Sequence, residues 1–305
     1  MKRYQDLSDL FKSFYNQEDI KIDENLSNYV NFRVGGPADI LLIPKDKKQV
    51  IDSIEVCIKN NIPFYIIGNG SNLLVRDGGF RGVVISMKSV KNITVNDTII
   101  EADCGVMLKD VSNIALENSL TGFEFACGIP GTVGGAVFMN AGAYDGEISN
   151  VVYSVDVIDN DGNVVTMLKD DLEFAYRSSA VMKNGYIVLS AKFKLEKGKV
   201  KTIKELVDDL TNKRESKQPL EYPSAGSTFK RPTGYFAGKL IQDAGLKGYS
   251  IGGAAVSEKH SGFVINKGNA TAKDITDLIK HIQDEVKKQF GVDLHPEVRI
   301  IGEEK

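Results

Sequence analysis

The sequence predicts an α+β fold. Strand-like runs occur in both halves of the chain with few helices between them, which argues against the regular alternation of a doubly wound sheet. The glycine-rich turn after the first clear strand, Gly68-Asn69-Gly70-Ser71-Asn72, continues as Leu73-Leu74-Val75, a strand rather than the helix a dinucleotide-binding βαβ unit requires. A second glycine-rich stretch, Thr121–Gly146, carries seven glycines interleaved with apolar residues such as Phe123, Phe125, Val133 and Val137. That is not the composition of a polar linker. Glycines so placed mark tight core turns or a backbone pressed against a phosphate-bearing ligand.

In chain order, residues 1–30 read as a lead-in helix and an irregular segment. Gly35-Gly36-Pro37 turns into a strand at Asp39–Ile43. Asp46, with Gln49 three residues on, is an N-cap for a helix whose face is Val50, Ile51, Ile54 and Ile58. Phe64–Ile67 is a strand, residues 82–104 alternate short β-rich runs with turns, and a helix near 107–118 places Leu108, Val111 and Ala115 together. After the glycine-rich stretch, Val151–Ile158 and Asn163–Met167 flank a turn at Asp159–Gly162 and form a hairpin. Tyr186–Leu195 is a buried strand. The polar break Lys197-Gly198-Lys199 divides the chain into a lead-in (1–30), a first domain (31–197) and a C-terminal domain (198–305). The latter opens with a helix over Val200–Lys217, lined by Ile203, Leu206, Val207 and Leu210, and passes through a long irregular run. It ends with a helix over Ala272–Phe290, capped by Thr271, and a strand over Leu294–Ile301.

Length and composition bound the function. A chain of 305 residues is expected to hold about two domains, at ~150 residues each. A net charge of -3 leaves no footprint for nucleic acid. The N-terminal MKRYQDLSDLF lacks the apolar core of a signal peptide, and no run reaches the ~20 apolar residues of a membrane span, so a cytoplasmic protein is expected. Three scattered cysteines and three histidines have no metal-ligand spacing, so no metal is expected. Lys213 to Lys247 contains seven basic and three acidic residues, a local patch that suits a small anionic ligand and equally an ordinary solvated face. Arg177, Ser227 and Glu297 stand in contexts that local structure explains poorly, although each alone also fits a surface arginine, a turn hydroxyl or an edge-strand carboxylate.

The ordered motifs Gly68–Asn72, Gly122–Phe125, Gly128–Ala136, Met139–Tyr144, Tyr176–Ser179, Ala225–Lys230 and Pro296–Arg299 resemble those of the UDP-N-acetylenolpyruvoylglucosamine reductase family, from about Asn31 to Gly302. The resemblance implies an FAD-binding domain of the vanillyl-alcohol-oxidase (PCMH) type in two lobes, followed by an α+β substrate domain. It implies reduction of the enolpyruvyl group of UDP-N-acetylglucosamine-enolpyruvate to UDP-N-acetylmuramate for peptidoglycan, with NADPH as co-substrate and non-covalent FAD. It assigns Arg177 to the substrate carboxylate, Ser227 to proton donation and Glu297 to assistance at the same centre. Gly68, Asn69, Gly70, Ser71, Asn72, Gly128, Ile129, Thr132, Gly134, Ala136, Asn140 and Gly142 would hold the flavin nucleotide. Lys217 would meet the substrate diphosphate and Arg231 would bind the substrate, although other members carry asparagine where Arg231 stands. Only 40 positions separate Arg177 from Lys217, too few for the tyrosine-bearing substrate loop that some members insert, so the chain resembles the shorter type. A monomer is expected. The competing readings are a flavin oxidase of the same fold, whose covalent attachment would have only Cys127 or Tyr144 nearby, and a nucleotide-sugar binding protein on a degenerate flavin scaffold.

Overall fold

The computed structural model describes residues 2–305, with side chains from residue 6 onward. The chain folds as two compact units that do not follow it linearly. The first comprises the chain up to Ile22, Ile40–Asn69 and Gly82–Arg214; the second comprises Asp23–Asp39, Gly70–Arg81 and Glu215–Lys305.

The first unit is built on a five-stranded antiparallel sheet in the order Val164–Leu168, Val152–Ile158, Ile187–Lys194, Ile99–Asp103 and Ile93–Asn96. Asp156 pairs with Thr166 on one side and Ser190 on the other, and Ala191 lies opposite Ala102. The hairpin expected from Asp159–Gly162 is present, with Asp159 Oδ1 accepting the N–H groups of Asp161 and Asn163 at 2.9 and 2.8 Å. A second ladder runs parallel, Phe64 opposite Val83 and Ile66 opposite Ile85. Val83 and Ile85 join Ile40, Leu42, Val50 and Ile54 in this unit's core. Helix Lys47–Lys59 starts where Asp46 Oδ1 accepts the Gln49 N–H at 2.8 Å. Its buried face is Val50, Ser53, Ile54 and Cys57, not Ile58, which is exposed. In helix Val200–Lys217, Ile203 and Leu210 are buried whereas Leu206 faces solvent, because a single neighbouring layer needs only a narrow stripe.

The second unit pairs Leu73–Val75 in parallel with Arg299–Ile301, so the closing strand is shorter than Leu294–Ile301. The run after Lys217 is more regular than its glycines suggest. It holds helix Ala237–Asp243 and an antiparallel sheet of Ser250–Ile251, Ala254–Val256 and Val264–Asn266. Helix Ala272–Phe290 buries Ile275, Leu278, Ile279, Ile282 and Val286 against Leu240, Ile241, Val256, Val264 and Leu294, while Phe290 is exposed. Thr271 caps it as expected, its hydroxyl accepting the Asp274 N–H at 3.0 Å and Asp274 returning the bond to the Thr271 N–H at 2.9 Å. Asp77 adds a second cap, its carboxylate accepting the N–H groups of Ala272 and Lys273 at 2.9 and 3.0 Å. Among the described residues no helix is long and apolar enough to cross a membrane, and no cluster of His, Cys, Asp or Glu could hold a metal ion.

Candidate active site

The glycine-rich stretch is a helix and a hairpin, not the loop its glycines suggest. Val133–Met139 is helical, Asn140 ends it in the left-handed conformation, and Gly142–Ala143 pairs with Gly146–Glu147 across a turn at Tyr144-Asp145. The helix lies on strand Ile187–Lys194. Its entry is fixed by backbone bonds, with Val133 and Gly134 donating to the Val106 and Cys104 carbonyls at 2.8 and 2.9 Å. Those two N–H groups are therefore spent inside the protein. Gly134 serves close packing instead, since a Cβ there would lie 3.0 Å from Cys104 Cβ.

Thr132 stands at the head of this helix with an orphaned hydroxyl. The residue is buried, and its Oγ1 has no hydrogen-bond partner among the described residues. Gly68 faces it so closely that a Cβ at position 68 would lie 2.3 Å from Thr132 Oγ1. Asn69 Nδ2 donates to the Pro130 carbonyl at 2.9 Å and ties the turn to Pro130–Thr132. Ile129 is partly buried and Ala136 is buried. A buried hydroxyl left unmade is costly unless a ligand completes it. The bare backbone of Gly68 beside an unsatisfied buried hydroxyl suits the close approach of a flat, phosphate-bearing cofactor such as FAD, so the residues present fit that group.

Arg177 is held against the same stretch. It sits at φ +52° in the turn Ala175–Ser178, whose two ends exchange backbone hydrogen bonds of 3.1 Å. A bulky residue in that conformation is strained and must be held by its surroundings. Asn140 supplies part of that hold. Fully buried, it donates from Nδ2 to the Ala175 carbonyl at 3.2 Å and accepts the Ser149 N–H at 3.0 Å. Ser179 Oγ donates to the Phe138 carbonyl at 2.7 Å and caps helix Ala180–Asn184. The Arg177 guanidinium donates to the Gly142 carbonyl at 3.3 Å and lies 5.1 Å from the Tyr176 ring centre.

In the second unit, Ser227 and Glu297 are on paired segments. Phe229 bridges Pro296, Lys230 donates to the His295 carbonyl at 2.9 Å, and the Glu297 N–H donates to the Thr228 carbonyl at 2.8 Å. Asn72 Nδ2 donates to the Glu297 carbonyl at 3.1 Å, while Arg299 donates to the Asn72 carbonyl at 3.1 Å. Gly70, at φ +63°, approaches so closely that a Cβ would lie 2.3 Å from the Tyr29 carbonyl oxygen, and Ser71 follows it partly buried. Ser227 itself is exposed, preceded by Gly226 at φ +74°.

Sequence reasoning passed over Thr228, which organises this segment. It is fully buried; its N–H donates to the Gly262 carbonyl at 2.9 Å and its Oγ1 accepts the Val264 N–H at 2.9 Å. His260 lies in the same loop as Gly262 and accepts the Gly262 N–H on Nδ1 at 3.0 Å. Burial pushes the His260 pKa below its ordinary value. Lys217 is exposed at the end of its helix, and the exposed Arg231 lies with its guanidinium 4.0 Å from the Phe236 ring centre. The structure thus gathers Gly68, Asn69, Gly128, Ile129, Thr132, Gly134, Ala136, Asn140, Gly142 and Arg177 in the first unit. Gly70, Ser71, Asn72, Lys217, Ser227, Arg231 and Glu297 belong to the second.

Residues 38–168 match the family model described as FAD binding domain, and residues 218–301 match that of the UDP-N-acetylenolpyruvoylglucosamine reductase C-terminal domain. A UDP-N-acetylenolpyruvoylglucosamine reductase of Clostridium perfringens (strain SM101 / Type A) is 61% identical over 99% of both chains. One of Clostridium botulinum (strain Alaska E43 / Type E3) is 62% identical over 97% of both. Among solved structures, the UDP-N-acetylenolpyruvylglucosamine reductase of Thermus caldophilus has a TM-score of 0.78 at 32% identity, covering 93% of this chain and 98% of that one. A glucose oxidase variant of Phl p 4 matches with a TM-score of 0.51 at 14% identity over 64% of this chain and 44% of that one, a likeness of fold alone. With two curated relatives above 60% identity along nearly their whole length and both halves matched by family models, the chain belongs to the UDP-N-acetylenolpyruvoylglucosamine reductase family.

Proposed function

We propose that this protein is the FAD-dependent reductase that converts UDP-N-acetylglucosamine-enolpyruvate to UDP-N-acetylmuramate in the cytoplasm, as a monomer drawing on NADPH. The observation that carries the reading is the orphaned Thr132 hydroxyl facing the bare backbone of Gly68; the strained and pinned Arg177 belongs to the same unit. We assign 31–197 to cofactor binding and 198–305 to the substrate. Gly68–Asn72, Gly128, Ile129, Thr132, Ala136 and Gly142 would hold the flavin nucleotide, with Gly134 packing the helix entry against Cys104 and Asn140 bracing the segment from behind. When bound, FAD supplies the hydride for the enolpyruvyl double bond.

The remaining work belongs to side chains. Hydride addition to an enol ether of pyruvate leaves carbanion character beside the carboxylate. Arg177 has the fixed charge and planar donors to bind that carboxylate and stabilise the charge. Ser227 delivers the proton; a hydroxyl is a weak acid, but an enolate is basic enough to take its proton. Glu297 assists at the same carboxylate, its backbone fixed by Thr228 and Asn72. Lys217 and Arg231 neutralise the nucleotide diphosphate.

Anaerobic half-reactions test the assignment of Ser227. The Ser227→Ala protein should be bleached by NADPH as fast as wild type, yet regain its yellow colour on addition of the enolpyruvyl nucleotide sugar about 10²–10⁴-fold more slowly. Recovery at the wild-type rate would remove Ser227 from proton donation.

A further inference from the structure

Residues 302–304 do not trail away from the closing strand. Strand Arg299–Ile301 pairs with Leu73–Val75 over three positions, and none of its own residues is fully buried. So short a parallel ladder specifies its register weakly. Past Ile301 the chain turns at Gly302, at φ +89°, where a Cβ would lie 2.5 Å from the Gly79 carbonyl oxygen. It then clasps the turn Arg76–Gly79. The Arg76 N–H donates to the Ile301 carbonyl, the Gly78 N–H to the Glu303 carbonyl and the Glu303 N–H to the Gly79 carbonyl, each at 2.9 Å. Arg76 Nη1 reaches Glu304 Oε1 at 2.7 Å. Gly78 lies directly against this crossing, since a Cβ there would meet the Glu303 and Glu304 carbonyl oxygens at 2.5 and 2.7 Å.

The turn is anchored without residues 302–304. The Gly36 and Gly79 N–H groups both donate to the Arg76 carbonyl at 2.9 Å, and Arg81 Nη2 donates to the Pro37 and Gly78 carbonyls at 2.9 and 3.2 Å. Its Asp77 carboxylate holds the start of helix Ala272–Phe290. Ahead of Leu73–Val75, the Asn31 N–H donates to the Gly70 carbonyl at 3.0 Å. Residues 70–79 are thus the fixed partner, and the strand that follows Glu297 is the one with freedom to slip. A slip of one residue would carry Glu297 ~3.3 Å along the strand and turn its side chain to the opposite face.

We propose that residues 302–304 are positioning residues: their clasp on the Arg76–Gly79 turn sets the register of the closing strand and, through it, the place of the Glu297 carboxylate. The inference rests on the role given to Glu297 in the function proposed above.

Gly78→Ala unseats the clasp selectively. Gly78 is not in the left-handed conformation, and the atoms nearest to the added methyl belong to residues 303 and 304. In anaerobic half-reactions the Gly78→Ala holoprotein should be bleached by NADPH at the wild-type rate. It should be reoxidised by the enolpyruvyl nucleotide sugar about 10- to 100-fold more slowly. Combined with Glu297→Gln, it should slow reoxidation no further than Glu297→Gln alone, because the group it positions is already gone. Reoxidation of Gly78→Ala at the wild-type rate overturns the proposal. Equal slowing in the wild-type and Glu297→Gln backgrounds, or of both half-reactions, also overturns it, because a loosened fold acts on every step alike. Should Gly78→Ala not fold, Arg76→Met carries the test by cutting the side-chain tie to Glu304 and leaving the backbone bonds. A slowing of about 2- to 5-fold, absent in the Glu297→Gln background, is then expected, and wild-type rates contradict the proposal. If Glu297→Gln alone is reoxidised as fast as wild type, the role given to Glu297 fails and this inference with it.

Discussion

At the scale of single residues, the side chains that would do chemistry are held by neighbours that do none. Ser227 is exposed, but the segment that carries it is fixed through Thr228, whose N–H and hydroxyl take partners at Gly262 and Val264 and whose carbonyl accepts the Glu297 N–H. Thr228→Val keeps the shape and removes the acceptor of the buried Val264 N–H. It should cost about 1–3 kcal/mol in urea unfolding, and a loss below measurement error would show that the bond is replaceable. His260 makes stability depend on pH. The folded protein keeps it neutral, since Nδ1 accepts the Gly262 N–H and burial lowers its pKa. The unfolded chain takes up the proton at the ordinary histidine value of about 6.5. His260 thus contributes stability that is full above pH about 6.5 and is lost as pH falls towards its lower folded value. His260→Asn should flatten the decline in melting temperature between about pH 7 and 5; an unchanged slope would assign that decline to other groups. Neither Thr228 nor His260 was legible beforehand, because a threonine beside a candidate serine and a lone histidine carry no periodic or spacing signal. Arg177, Ser227 and Glu297 were legible through the ordered motifs around them, while their geometric support was not.

At the scale of elements, legibility tracked length. Helices Lys47–Lys59 and Ala272–Phe290 have several turns, apolar stripes and hydroxyl or carboxylate caps, and the structure places them where the pattern does. Leu206 belongs to the apolar stripe of its helix and yet faces solvent, since periodicity names a stripe but not how wide a layer covers it. The three-stranded sheet after Lys217 leaves no alternating pattern in the sequence because its strands have two or three residues, the first two parted by Gly252 at positive φ. The helix Val133–Met139 escaped for the opposite reason: two of its seven residues are glycines of low helix propensity, and packing against Cys104 and strand Ile187–Lys194 overrides that. The double cap of helix Ala272–Phe290 makes a separable prediction. Thr271→Ala and Asp77→Ala should each lower stability by about 1–2 kcal/mol, because each leaves helix N–H groups without a carboxylate or hydroxyl partner. Equal unfolding midpoints for Asp77→Ala and wild type would show that water replaces the remote cap.

At the scale of the whole molecule, the chain builds two units by returning to each of them. A linear reading saw a break at Lys197–Lys199. The parallel pairing of Leu73–Val75 with Arg299–Ile301 instead draws residues 70–81 into the unit formed mainly by the C-terminal third. Such pairing is set by tertiary packing between distant segments, which no local pattern announces. The proposed function rests on what the units carry: a backbone face with an unsatisfied hydroxyl and a pinned arginine in one, and a braced serine and glutamate in the other. The most direct test is NADPH oxidation by the purified protein with and without UDP-N-acetylglucosamine-enolpyruvate, read beside its visible spectrum. The account predicts a yellow protein that consumes one NADPH per enolpyruvyl group reduced and little without that substrate. A colourless protein that gains no flavin, or NADPH consumption indifferent to the nucleotide sugar, would contradict it.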